Sequence, residues 1–183
     1  MKIDLKLFHF LFILTLLLGC TTEEMPAPSC RVEAEQFNDY KAPAACLINL
    51  GGKLLVLKRP DGKFDIPVRN NFSDESAQCA AHRAVWEDTG LNVEVGTNLG
   101  ILNQEQNLWV YECELDAGFD GSEEAIPVPY WATQVKGIGF IDPFAITLHE
   151  WHKPDEFVNV RDAFTKQIKY KAMKRSTSSD IDQ

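Results

Sequence analysis

The segment ESAQCAAHRAVWEDTGL, residues 75–91, limits what the chain can fold into more than any other stretch. Ala77, Ala81 and Val85 recur every four residues with Ala80 and Ala84 beside them, so one helical face carries only small side chains and can lie close against a sheet. Gly90 ends the helix, because a residue without Cβ takes the left-handed cap at little cost. The polar side carries Arg83, Glu87 and Asp88, with Glu75 at the entrance. Acids near a helix C-terminus oppose the macrodipole by a few tenths of a kcal/mol. Their placement argues for a site, although an exposed acid pair is in most chains plain solvated surface.

The flanking pattern supplies the sheet. Two apolar runs, residues 45–50 and 53–58, meet at Gly51-Gly52 as a hairpin, and Pro60-Asp61-Gly62 turns the chain into the short strand KFDIP. Residues 70–73 read as loop. After the helix, LNVEV and LWVYECEL alternate as strands, with Trp109, Tyr111, Cys113 and Leu115 on one face. Residues 116–133, rich in Gly, Pro and acids, read as a long loop. GIGFIDPF is a further strand. Phe157, Val160, Phe164 and Ile168 then fit a helix with Asp155 and Glu156 at its start and Lys166, Lys169 and Lys171 toward its end. The expected class is α+β, a mixed sheet with helices packed on it.

The chain opens on MKIDLKLFHFLFILTLLLGC, two lysines and then an apolar run over residues 7–18, too short to span a bilayer but suited to the core of an export signal. LLGC resembles the lipobox of bacterial lipoproteins, which implies cleavage before Cys20 and a lipid on its thiol. By the same resemblance, Thr21 after the cysteine points to the outer membrane, facing the periplasm, in a Gram-negative cell. The expected plan is a leader over 1–19, the lipidated cysteine and a flexible tether over 20–43, one domain over 44–170, and a polar tail over 171–183.

Loss of Lys2, Asp4 and Lys6 with the leader leaves 16 basic against 26 acidic residues, a net charge of −10. That weighs against nucleic acid and against anionic lipid held by charge. Four cysteines remain, Cys30, Cys46, Cys79 and Cys113. Export permits disulfides, their separations do not suit a zinc ribbon, and all three pairings stay open.

Glu75, seven residues, Arg83, then Val85, Glu87-Asp88, Gly90 and Leu91 resemble the Nudix box, with FDIP before it also in keeping. The resemblance implies a Nudix-like mixed sheet over the domain. It implies a hydrolase that cleaves a nucleoside diphosphate joined to another group, with Mg²⁺ or Mn²⁺ as cofactor and a small phosphorylated molecule as substrate. Glu87 and Asp88 would be the catalytic metal ligands, and Glu75 and Arg83 would support them. Positions 84, 87 and 88 stand at i, i+3 and i+4, so three carboxylates there could share a hard cation that polarises phosphorus toward water. This chain departs at two places. Ala84 stands where the box has a glutamate, and Arg69 stands where it has a glycine. Arg69 is either a drifted loop residue or a cation for phosphate. The alternative function is therefore a Nudix-fold lipoprotein without turnover, a binding or structural module with a partner in the envelope. A purely structural acidic lipoprotein would explain the leader and the charge but not the spacing.

The remaining candidates are weaker. His82 is expected to face solvent. His149 and His152 lie in a loop, with Glu150 a candidate replacement acid or base. Trp109, Tyr111, Tyr130 and Trp131 could stack a nucleobase, although aromatics at strand spacing mostly build core.

Overall fold

The computed structural model describes residues 27–116, 119 and 126–179, with the side chains of 175–179 left aside. The expected leader, Cys20, the first part of the tether, the middle of the 116–133 loop and the last four residues lie outside the described residues. Among the described residues, no helix is long and apolar enough to cross a membrane.

Among the described residues, seven strands form one mixed sheet: β1 (Ala44–Leu50), β2 (Lys53–Lys58), β3 (Phe64–Asp65), β4 (Val68–Arg69), β5 (Val93–Asn103), β6 (Leu108–Leu115) and β7 (Gly137–Ile141). The main path runs β3-β2-β1-β6-β5, with β4 beside β1 and β7 beside β2. β1 and β6 pair in parallel, Ala44 opposite Trp109 through Ile48 opposite Cys113, and the other ladders are antiparallel. The Gly51-Gly52 hairpin forms as the sequence predicts, both glycines at positive φ.

The sheet lies between two helices, α1 (Ala77–Thr89) and α2 (Phe157–Ser179). β1 is a nearly unbroken apolar run because both its faces are covered. Ala44, Cys46 and Ile48 pack with Ala77, Ala80, Ala81 and Val85 of α1. Ala45 and Leu47 pack with Phe157, Val160 and Phe164 of α2. The alternation of strand side chains thus divides one core into two layers.

Three elements differ from the expectation. β4 forms where the sequence shows only a short link before the loop, held by Ala44 opposite Arg69; a two-residue strand carries too little pattern to announce itself. Helix α2 continues to Ser179, through most of the residues expected as tail. The expected tether is docked from Cys30 onward. Val32 bridges Val95 in parallel, the Glu33 amide donates to the Val95 carbonyl at 2.9 Å, and Cys30 is disulfide-bonded to Cys79 on α1.

Candidate functional site

Helix α1 forms as its sequence dictates. Ser76 is the N-cap and accepts the Cys79 amide at 3.2 Å, and Gly90 at φ 69° closes the C-terminus with its amide on the Trp86 carbonyl at 2.9 Å. The small-residue face meets the sheet, which leaves Arg83, Glu87 and Asp88 toward β4 and the 70–75 loop.

Glu75 and Arg83 meet as a two-pronged pair. Arg83 Nε donates to Glu75 Oε1 and Nη2 to Oε2, both at 2.8 Å. Arg83 also donates to the Asn70 carbonyl at 2.8 Å and to Glu87 Oε1 at 2.9 Å, and its guanidinium lies 4.0 Å from the centre of the Phe72 ring. These contacts fasten the loop before the helix to the middle of the helix.

Arg69 takes hold of both expected metal ligands. Its Nε donates to Glu87 Oε2 at 2.7 Å, Nη2 to Asp88 Oδ1 at 2.6 Å and Nη1 to Asp88 Oδ2 at 3.2 Å. Nη1 also donates to the Val68 carbonyl at 2.8 Å. Arg59, at the end of β2, stands behind this pair. Its Nη2 is 3.6 Å from Asp88 Oδ2, while Nε and Nη2 hold Asp65 Oδ2 at 3.1 and 3.0 Å. Three arginines therefore interleave with four carboxylates, Asp65, Glu75, Glu87 and Asp88.

Electrostatics follow the geometry. Burial pushes Glu87 and Glu75 upward, but Arg83, joined at Glu87 by Arg69, outweighs it, and both carboxyls lie below the usual glutamate range. Asp88 is 1% exposed, and burial carries it above the usual aspartate range against the pull of Arg69 and Arg59. Both its oxygens accept from Arg69, an arrangement that favours the ionised form. Burial works against the Arg69 charge too, but its bonds to Asp88 and Glu87 raise its pKa further.

These residues do not fit a divalent ion. Glu87 and Asp88 spend their oxygens on guanidinium donors, and Ala84, 0% exposed, offers no ligand. Among the described residues, no group of three or more His, Cys, Asp and Glu side chains is placed to hold a metal. Nor does Arg69 present a ready fork to phosphate, since each of its nitrogens already donates to a carboxylate.

The other candidates lie elsewhere. His82, expected in solvent, is 3% exposed and shares a 3.0 Å hydrogen bond with Asn92 Oδ1. The expectation failed because residues 30–40 cover that side of α1. Gln78, for example, is fully buried between the Gln36 carbonyl and the Asn38 amide. His152 pairs with Asp61 at 2.8 Å, and Glu150 closes a capping box with Thr147. Tyr111 is core and Trp109 packs edge-on against Tyr40, whereas Trp131 leans on Trp86 of α1 with Tyr130 exposed beside it. The four candidate cysteines form two disulfides, Cys30–Cys79 and Cys46–Cys113. Sequence reasoning missed Arg59 and Asp65. Neither stands at a fixed spacing from the box helix, and no local signal marks them; Asp65 came closest, inside FDIP.

No family model matches the chain. A MutT-like protein from Streptomyces ambofaciens is 27% identical over 94 residues, 49% of this chain and 61% of the relative, so the chain spans about three fifths of that relative's length. An ADP-ribose pyrophosphatase from Streptococcus suis superposes with a TM-score of 0.56 at 16% identity, covering 69% of this chain and 91% of that one. A Nudix hydrolase from Nitrosomonas europaea gives 0.52 at 16%, covering 69% and 90%. A UDP-X diphosphatase gives 0.53 at 11%, covering 72% and 65%. The likeness establishes the fold: this chain has the mixed sheet and packed helices of Nudix hydrolases.

Proposed function

We propose that the chain is a divergent relative of the Nudix pyrophosphohydrolases in which the box helix serves binding and structure instead of metal-assisted turnover. In this reading it is exported, carries lipid on Cys20 and works in the bacterial envelope, on the periplasmic face of an outer membrane. One observation carries the reading. Arg69 bonds both oxygens of Asp88 and one of Glu87, the two acids on which the resemblance places metal. Two acids already paired with fixed guanidiniums, Arg69 across both with Arg83 at Glu87 and Arg59 near Asp88, have little left to attract a divalent ion. Ala84 supports the same reading, since it withholds the third carboxylate that this helix face would need to share a divalent ion.

A second reading, a weakened pyrophosphohydrolase acting on a small phosphorylated molecule, draws support from the Glu75–Arg83 pair, which keeps the box spacing intact, and from the MutT-like relative. The two separate in one assay. The full chain in detergent is offered a panel of nucleoside diphosphate derivatives with Mg²⁺ or Mn²⁺, beside Arg69→Gly/Ala84→Glu. No turnover above the metal-only background is expected of the wild type. Turnover by the wild type that Glu87→Gln abolishes overturns the first reading in favour of the second.

A further inference from the structure

We propose that Arg69 is a built-in replacement for a divalent cation, and that it masks a cation site which its removal uncovers. The inference rests on the reading of the box as free of metal, and it says what took the metal's place and what would restore it.

Position comes first. The Arg69 guanidinium spans Glu87 Oε2 and Asp88 Oδ1 with contacts of 2.7 and 2.6 Å, so it lies between the oxygens that an ion would have to bridge. A magnesium ion needs oxygens at about 2.0–2.1 Å and a calcium ion at about 2.3–2.6 Å, so neither fits while the guanidinium is there.

Charge comes second. Against the box that the sequence resembles, Arg69 replaces glycine and Ala84 replaces glutamate. One change adds a positive charge and the other removes a negative one. Together they shift the local charge by about two units, that of one divalent ion. The two departures are thus one exchange, with a guanidinium bonding the carboxylates that a metal would otherwise neutralise.

Attachment comes third. Arg69 is carried by β4, paired opposite Ala44, and Asp88 is carried by α1, so the cation is fixed to one element and its partners to another. A tethered partner acts at an effective concentration of about millimolar or more, which a free cation must outcompete. Arg59, 3.6 Å from Asp88, cannot take over this role, because its guanidinium is committed to Asp65.

The test is calorimetric titration with MnCl₂ and CaCl₂, with thermal melts in parallel, on the full chain in detergent. The wild type is expected to show no saturable binding at millimolar cation. Arg69→Ala is expected to bind at least tenfold more tightly than the wild type and to gain about 3–6 °C in Tm at ten times its Kd, a gain that Asp88→Asn in the same background removes. Should Arg69→Ala fail to fold, Arg69→Gln, which keeps reach but not charge, is expected to show the same gain. A folded Arg69 variant with no cation response overturns the proposal, as does failure of both variants to fold with Mn²⁺ present. Saturable wild-type binding that Glu87→Gln removes overturns it too. Hydrolysis is not part of the readout, so a wild-type chain that turns over a substrate tells against the functional reading, and an unresponsive Arg69 variant against this one.

Discussion

Asp88 is the most constrained residue of the site: a buried carboxylate at the end of a helix, where the macrodipole, the neighbouring Asp65 and desolvation all work against its charge. Arg69 and Arg59 are what make it tolerable, and stripping one partner from a buried pair costs about 3–5 kcal/mol in general. Titration follows from the same contacts. Glu75 and Glu87 have folded values below the ordinary 4.5, so their stabilisation is complete above that value and is lost as the pH falls through the lower folded one. His82 acts in the same sense at higher pH. Burial holds it below 6.5, so its contribution is complete above 6.5 and is lost on acidification through the depressed value. Asp88, Glu112 and Glu156 are raised by burial and run the opposite way, their cost being relieved as acid protonates them. The contribution of His82 is therefore best seen as a difference. Thermal melts of wild type and His82→Gln are expected to run parallel above pH 6.5 and to converge below it, because only the wild type loses the histidine's share. Curves that stay parallel down to acid would show that His82 does not titrate with folding.

Helix α1 is held on two sides. The sheet takes its small-residue face, and the segment from Cys30 to Tyr40 takes another through the Cys30–Cys79 bond, the Gln78 amide and the Ala77 amide on the Tyr40 carbonyl at 2.7 Å. A bridge spanning 49 residues restrains the unfolded chain by about 2–4 kcal/mol. The Cys46–Cys113 bridge spans 67 residues and joins two fully buried side chains of neighbouring strands, so replacing it also disturbs the core under α1. Urea unfolding is expected to rank the variants accordingly. Cys30→Ser/Cys79→Ser should lose about 2–4 kcal/mol and keep the sheet, and Cys46→Ser/Cys113→Ser should lose more, through added burial of two hydroxyls. Equal midpoints for the two double variants would mean that neither the longer loop nor burial matters.

For the whole molecule, the docked N-terminal segment changes how the domain stands on its proposed anchor. With Cys30 stapled to α1, nine residues, 21–29, separate the proposed lipidation site Cys20 from the fold instead of the longer tether expected over 20–43. The ten residue steps from Cys20 to Cys30 reach at most about 35 Å, so an anchored domain stays close to the bilayer. With the leader removed as proposed, a net charge of −10 would repel an anionic lipid surface. Growth with labelled palmitate is expected to mark the chain, and Cys20→Ser to abolish the label. A wild-type chain that takes up no label would remove the anchor.

The sequence by itself determined the elements whose cause is local. The hairpin at Gly51-Gly52 follows from alternation and turn chemistry, and the close-packing helix from its run of alanines and valine. The closure at Gly90 follows from a residue without Cβ. That Glu75 and Arg83 meet does not follow from spacing, since Glu75 precedes the N-cap of α1; the resemblance implied only that both support the site. Only the tertiary structure decided what Glu87 and Asp88 do. Apart from the i,i+4 contact of Glu87 with Arg83, their partners arrive on β4 and at the end of β2, segments whose meeting with α1 depends on how the sheet closes and on no spacing along the chain. The burial of His82 and the choice among disulfide pairings were decided in the same way, by a docked N-terminal segment whose composition reads as solvated chain. Periodicity reports which face of an element is buried, but the neighbour that covers its polar face, and so the charge it meets there, is set by packing between segments far apart in sequence.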